Sequence, residues 1–142
     1  MTAKEYLSQA KLMDEAINYR LRELEYWRNL SRSVSTGGLE EHHNPNHSTE
    51  APFVKCLEKI DEIERDVNAR IDRLVDLRRT VDRAIDAMED DTEQILLRCR
   101  YLEGLSWTDI SHIINVSLRT AHRIHSAALQ NFAVPEEKIS QS

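Results

Sequence analysis

The sequence predicts an all-α protein, in which a long antiparallel, coiled-coil-like helical hairpin precedes a C-terminal helix-turn-helix module. Glycine and proline are absent from residues 1–36 and 53–103. Apolar residues in both stretches recur every seven positions, as they do where one helix packs along another. After residue 90, capping and turn residues occur at the spacing of short helices. Together these three observations favour a fold built from helices alone.

Residues 3–32 are predicted to form the first helix. Its inward face is indicated by two rows of residues spaced by seven: Ala3, Ala10, Ile17 and Leu24, and then Tyr6, Met13 and Trp27. Arg20 interrupts the second row, and we expect Leu21 beside it to restore the stripe.

Residues 53–90 are predicted to form the second helix. Its rows are Phe53, Ile60, Val67, Leu74, Val81 and Met88, with Cys56, Ile63, Leu77 and Ala84 as companions. Arg70 interrupts the companion row, and Ile71 lies beside it. A helix with such a stripe needs a partner in water. The partner is the first helix folded back as a hairpin, a second copy of the chain, or both, and we favour a hairpin that also dimerises.

The two arginines that interrupt the rows have two interpretations. Arg20 and Arg70 either pair with acidic residues across the hairpin and fix its register, or extend along the helices to solvent.

Residues 35–52 are predicted to be a flexible loop between the two helices, because they are rich in Ser, Thr, Asn, Gly, Pro and His. Three histidines lie there, His42, His43 and His47, but no carboxylates or fixed scaffold accompany them. The sequence therefore predicts no metal site.

The chain is accordingly divided into a hairpin over 1–90, a helix-turn-helix module over 91–134 and a disordered tail over 135–142. The formal net charge of the whole chain is −6. Residues 92–134 carry four arginines against three acidic residues, a net charge of +1, so the acidity lies in the long helices. A net charge of +1 is low for a module that binds phosphates unaided.

Cysteine usage and the absence of targeting signals favour a protein of the bacterial cytoplasm. Cys56 and Cys99 belong to no CxxC pair, and reduced, buried thiols are the simplest interpretation. Residues 1–11 are too polar for a signal peptide, and no apolar run is long enough to span a membrane. HExxH, GxSxG and phosphate-loop motifs are absent, so we expect neither an enzyme nor a bound cofactor.

The first helix of the C-terminal module is predicted to run from Asp91 to about Glu103. Asp91 and Gln94 have the spacing of a capping box. Gly104 follows, where a helix commonly ends in the left-handed conformation that glycine adopts without strain.

Two further helices are separated by a short turn. Ser106 is placed to cap a short helix that extends to about Ile114, and Asn115 suits a left-handed turn. Ser117 is placed to cap a helix over 118–130. A short helix, a turn of about three residues and a second helix make a helix-turn-helix.

Candidate DNA contacts follow from this register. The wedge between the two helices is predicted to comprise Ile110, Ile114, Val116, Ala121 and Ile124. Five side chains are expected to contact base edges or phosphates from the major groove: Ser117, Arg119, Thr120, His122 and Arg123. Further candidates for phosphate contacts are Arg98, Arg100 and Ser106. Trp107 is expected in the core rather than against nucleic acid, and His125 is expected to face the preceding helix.

The segment from Leu97 to Ile110, LRCRYLEGLSWTDI, resembles the LRYxxGxSxxEIA opening of region 4 in sigma-70-family factors. Its continuation from Asn115 to Leu129, NVSLRTAHRIHSAAL, resembles the recognition helix of that family. The resemblance covers about forty residues and implies double-stranded DNA as a partner, with RNA polymerase as a second candidate. Leu118 and Thr120 stand where the family often has arginine, and residues 1–90 lack a sigma region 2.

The whole arrangement, a charged helical hairpin followed by this module, is similar to small phage and prophage proteins of the ArpU/RinA type. This resemblance implies a role in the control of late phage transcription. The predicted function is a dimeric, DNA-binding transcription regulator. Two alternatives remain: a small terminase-like subunit that packages DNA, and a protein that docks on RNA polymerase without binding DNA.

Overall fold

The computed structural model describes residues 1–40 and 50–136, and every regular element in them is helical. The elements are α1 (Ala3–Glu40), α2 (Glu50–Asp86), α3 (Asp91–Leu97), a π-helical segment (Arg98–Leu102), α4 (Trp107–Ile113) and α5 (Leu118–Asn131). The predicted all-α class, with two long helices before a short-helix module, is confirmed. Within the described ranges, no helix is long and apolar enough to cross a membrane.

The ends of the long helices differ from the predicted ones. Residues 35–40 belong to α1 and residues 50–52 to α2, so the predicted loop was too wide at both ends. Helix propagation adds one hydrogen bond for each residue fixed, and this offsets the poor helix propensity of a glycine pair. The remaining predicted loop residues, with the three histidines, and the end of the predicted tail lie outside the described residues.

The second long helix ends at Asp86 rather than at residue 90. The backbone of Asp90 is extended, because this residue caps the next helix, and α2 therefore has to stop before it.

The chain forms two compact units. One comprises Met1–Asp14 together with Leu74–Ser142, and the other comprises Glu15–Arg73. The predicted functional division into 1–90, 91–134 and 135–142 stays a prediction.

In the Glu15–Arg73 unit, α1 packs against α2 along the predicted rows. Among the side chains of this unit that the structure describes, the buried ones are Ile17, Leu24, Ser31, Cys56, Ile63 and Val67. Leu21 is 43% exposed, so the expectation that it restores the stripe was wrong, and Ile71 is 41% exposed in the same way. One residue advances a helix by about 100°, and this turns both side chains away from the seam.

Arg20 and Arg70 lie at the interface between α1 and α2, where both donate hydrogen bonds to one carboxylate. Arg20 Nε of α1 donates to Asp66 Oδ2 of α2 at 2.9 Å, and Arg70 Nε donates to the same oxygen at 2.8 Å. The hydrogen bond from Arg70 is the largest cause of a lowered pKa at Asp66. Arg28 and Glu64 form a second cross-helix pair at 3.0 Å, in the order that antiparallel helices require. Arg20 thus pairs across the hairpin, as one of the two interpretations predicted, whereas Arg70 pairs with a carboxylate of its own helix.

The core of the other unit draws on every helix that enters it. Its buried members are Tyr6 and Leu7 from α1, Val81 and Ile85 from α2, Met88 from the connection after α2, and Leu96, Leu97, Cys99, Ile110, Ala128 and Phe132 from the module. Leu7 and Ile85 lie outside the predicted rows and are fully buried. The end of each long helix in this unit therefore buries a wider face than a two-helix seam needs.

Replacing Ile63 tests the seam of the Glu15–Arg73 unit. Ile63 is 1% exposed, so we expect Ile63→Ala to lower the free energy of unfolding by about 2–5 kcal/mol, through lost burial and the cavity left behind. Leu57→Ala is the control, because Leu57 is 46% exposed on the same helix. Urea denaturation followed by circular dichroism measures both, and equal losses in the two variants would contradict the seam.

Candidate nucleic-acid interface

The first helix of the module is capped by Asp90. The Asp90 carboxylate accepts from Glu93 N at 2.9 Å, while the Gln94 side-chain amide donates to the Met88 carbonyl at 2.6 Å. The predicted cap at Asp91 was therefore wrong by one residue. Asp90 and Asp91 have the same capping preference, and the sequence alone does not distinguish them.

This helix widens into a π-helical segment before it ends. Glu103 N donates to Arg98 O at 3.0 Å, and Leu105 N donates to Cys99 O at 2.9 Å. Gly104 has φ +70°, which confirms the predicted left-handed C-cap. The π-helical segment was not predicted, because such segments have no composition signature. It adds a residue to the turn that carries Arg100 and Tyr101.

Three local predictions fix the helix-turn-helix, and all three are confirmed. The Ser106 hydroxyl caps α4 by accepting from Asp109 N at 3.2 Å. The turn contains Asn115 at φ 55° and closes with a hydrogen bond from Val116 N to the Ser111 carbonyl. The Ser117 hydroxyl caps α5 by accepting from Thr120 N at 3.2 Å.

The predicted wedge holds α4 and α5 together. Ile110 and Ala121 have no exposed surface, and Ile114, Val116 and Ile124 are partly buried. Because Ala121 carries only a methyl group, the helices approach closely at this point.

The far end of α5 is held by a contact that the sequence did not reveal. Asn131 Nδ2 donates to both carboxylate oxygens of Glu93, at 3.0 and 3.1 Å. Glu93 is buried, so its charge needs such a partner. The cap at Ser117 and this contact together fix both ends of α5.

The outward face of α5 carries three of the predicted DNA contacts. Arg119, His122 and Arg123 are exposed and lie three and four positions apart, and Ser126 continues the row. Within the described ranges, neither arginine takes part in a hydrogen bond or ion pair. Ser117 and Thr120 lie at the start of the helix, where their hydroxyls bond to each other at 3.0 Å.

The three candidate phosphate contacts have protein partners. Arg98 bonds to Asp86 and to Asp82 of α2, the latter at 3.0 Å. Burial by itself lowers the pKa of Arg98, but the bonds to the two carboxylates outweigh it and raise the pKa. Arg100 donates to the Leu105 carbonyl at 3.1 Å, and Ser106 is occupied as a cap. The DNA roles of all eight candidate residues stay predictions.

An aromatic cluster lies beside the outward face of α5. The Trp107 ring packs against the core and lies 4.4 Å from the His122 ring and 4.8 Å from the His125 ring, between centroids. Tyr101 Oη lies 2.7 Å from His125 Nε2, and the Arg100 guanidinium lies 4.7 Å from the centre of the Trp107 ring. His125 thus faces α4 and the π-helical segment, as expected.

The surroundings of His125 favour its neutral form. Burial lowers its pKa to about 4, and the positive charges of Lys4, Arg100 and His122 act in the same direction.

Residues 84–133 match the model of the family described as Sigma-70, region 4. The matched range contains α3, the π-helical segment, α4 and α5, so this part of the chain is a helix-turn-helix domain of the region 4 type. The predicted resemblance is thereby confirmed for these residues, and the match supports a DNA-binding helix-turn-helix function. Comparisons with curated proteins and with solved structures gave no match.

The low pKa of His125 is directly measurable. We expect NMR titration of the His125 imidazole to give a midpoint near pH 4, against about 6.5 for an exposed histidine. Because the folded pKa lies below the unfolded one, the contribution to stability is present above pH 6.5 and is lost as pH falls towards 4. The drop in melting temperature between pH 7 and pH 5 should therefore be smaller in His125→Phe, and a midpoint above 6 would contradict the assignment.

Proposed function

We propose that the protein is a phage- or prophage-type transcription regulator that binds duplex DNA through the outward face of α5, acting as a homodimer in the cytoplasm of a bacterial host. The proposal depends on one observation. Within a domain of the region 4 type, α5 buries Ala121 and Ala128 and presents Arg119, His122 and Arg123 on its outward side, with the arginines unpaired in the described structure.

The chemistry of that face suits the major groove. Arginine donates two parallel hydrogen bonds to the O6 and N7 atoms of guanine, and histidine and serine donate to bases or phosphates. Arg119 and Arg123 are one helical turn apart, so both extend from the same side of a helix that fits the groove. A helix held at both ends positions these side chains before DNA arrives, which limits the entropy lost on binding.

Dimerisation is proposed because one module has little positive charge of its own. Four arginines against three acidic residues over 92–134 neutralise few phosphates. Two linked modules bind adjacent half-sites with a much higher effective concentration than one. The long helices α1 and α2 offer the surfaces that such pairing needs.

A second candidate function is docking on RNA polymerase without DNA contact. It is favoured by Ile113 and Leu118, which are exposed by 54% and 48% in α4 and α5, beside the same face. Exposed apolar side chains of this size are more typical of a protein-binding surface than of a phosphate-binding one.

The deciding experiment is binding of the purified full chain to duplex fragments from its own gene neighbourhood, titrated with salt, with the mass of the complex recorded. Sequence-selective binding with a steep salt dependence and the mass of a dimer supports the proposal. A ring of many subunits would identify a terminase-like protein. No duplex binding at low salt, with capture of RNA polymerase, would favour docking.

Two substitutions test the recognition face. We expect Arg119→Ala and Arg123→Ala each to weaken binding to the selected duplex by about fivefold or more, because each removes a contact of about 1–3 kcal/mol. Arg73→Ala is the matched control, since Arg73 is exposed on α2 in the other compact unit. Fluorescence anisotropy measures the affinities, and circular dichroism checks that helicity is kept. Parent-like binding by both α5 variants would show that this face does not read DNA.

A further inference from the structure

A cavity of about 320 Å³ adjoins the aromatic cluster in the unit that contains the module. It is lined by residues of α1, the π-helical segment, α4 and α5, and by Gly104 between them. The lining residues are Lys4, Ser8, Lys11, Arg100, Tyr101, Gly104, Trp107, His122 and His125. This set includes three permanent cations and no acidic residue, in a chain whose net charge is −6.

The cations come from two directions. Lys4 and Lys11 are seven residues apart on α1, so they extend from one side of that helix, and both are exposed. Arg100 enters from the π-helical segment, where its guanidinium lies over Trp107. The Ser8 hydroxyl in the same lining donates to the Lys4 carbonyl at 2.7 Å, and Tyr101 Oη is paired with His125 Nε2. The donors that an anion contacts here are therefore the ammonium groups of the two lysines and the guanidinium of Arg100, which are groups that proteins use to hold phosphate.

The charges that act on His125 have the same sign as the charged groups in this lining. Besides burial, the causes that lower its pKa are the positive charges of Lys4, Arg100 and His122. Lys4 therefore lies close enough to His125 to act on it, and no acidic residue is among these causes.

We infer that this cavity binds a phosphate group. His122 belongs both to the cavity lining and to the outward face of α5, so the two sites are continuous. A backbone phosphate of a duplex seated on α5 can therefore enter the cavity, and this source rests on the proposed function. A free nucleotide carries the same group and is the other source.

Lys4 and Lys11 lie outside the residues that match the region 4 model, which begin at residue 84. With them, α1 adds two positive charges next to a module whose own net charge is only +1. The interface for DNA then includes the first turns of the chain as well as the helix-turn-helix.

The test compares two double variants of the full chain. Lys4→Gln with Lys11→Gln removes both α1 cations, and Lys55→Gln with Lys59→Gln makes the same charge change in the other compact unit. If the phosphate belongs to the duplex, the first pair weakens binding about tenfold and lowers the slope of log affinity against log salt by about 1, since one neutralised phosphate contributes about 0.9. The control pair should leave the slope unchanged.

A second arm uses inorganic phosphate and ATP as probes, with the His125 imidazole followed by NMR. An anion in the cavity stabilises the imidazolium, so either probe should raise the pKa of His125 in the parent and not in the Lys4/Lys11 variant. A response to the probes with unchanged duplex binding assigns the cavity to a free phosphate ligand. If neither duplex binding nor the shift of the His125 pKa on addition of the probes depends on the lysine pair, the inference is overturned.

Failure of the proposed function is distinguishable from failure of this inference. If the parent binds no duplex, the transcription-regulator proposal fails, and the probe arm still decides whether the cavity holds phosphate. If Arg119→Ala weakens duplex binding and the lysine pair affects neither arm, only the cavity assignment is wrong.

Discussion

The close approach of α5 to the helices behind it is the constraint on which the rest of the candidate site depends. Ala121 and Ala128 have no exposed surface and are two turns apart on the inner side of α5. A larger side chain at either position would push α5 away from the densely packed core, at a cost of about 1–3 kcal/mol. Because these two residues face inwards, Arg119, His122 and Arg123 face outwards.

Polar contacts at both ends of α5 then hold the helix at one position along its own axis. The Ser117 cap holds its first turn, and the contact between Asn131 and the buried Glu93 holds its last. The His125 ring, between Tyr101 and Trp107, limits rotation of the middle. A helix restrained at three points presents its outward side chains in one orientation, and the proposed function requires this because groove contacts need accurate placement.

The core around α5 extends beyond the residues that match the region 4 model. Tyr6 and Leu7 of α1 and Val81 of α2 belong to the same buried cluster as Ile110, and the Tyr6 and Phe132 rings are 6.3 Å apart between centroids. Arg98 adds ion pairs to α2. The core around α5 thus includes residues from one end of each long helix. The same packing places Lys4 and Lys11 in the lining of the proposed phosphate cavity.

Features that depend on short-range chemistry were predictable from the sequence. Ser106, Asn115 and Ser117 act through their own side chains and backbone within three residues, and the seven-residue rows indicate the paired faces of α1 and α2 because helix geometry is regular. Features set by tertiary contacts were not. Neighbours distant in the chain determine four of these features. They are the cap at Asp90 rather than Asp91, the π-helical segment, the ion pairs of Arg98 and the position of Lys4 near His125. The outward position of Arg119 was predictable, whereas its contact with DNA stays a prediction.

The most direct test of the central claim is to map the duplex onto the protein by NMR, following the backbone amides of the full chain as a selected duplex is added. We expect the largest shift changes on the outward residues of α5, with Arg119 and Arg123 among them, and little change at Ala121 and Ala128. Large changes confined to α1 and α2 of the Glu15–Arg73 unit, with α5 unaffected, would contradict it.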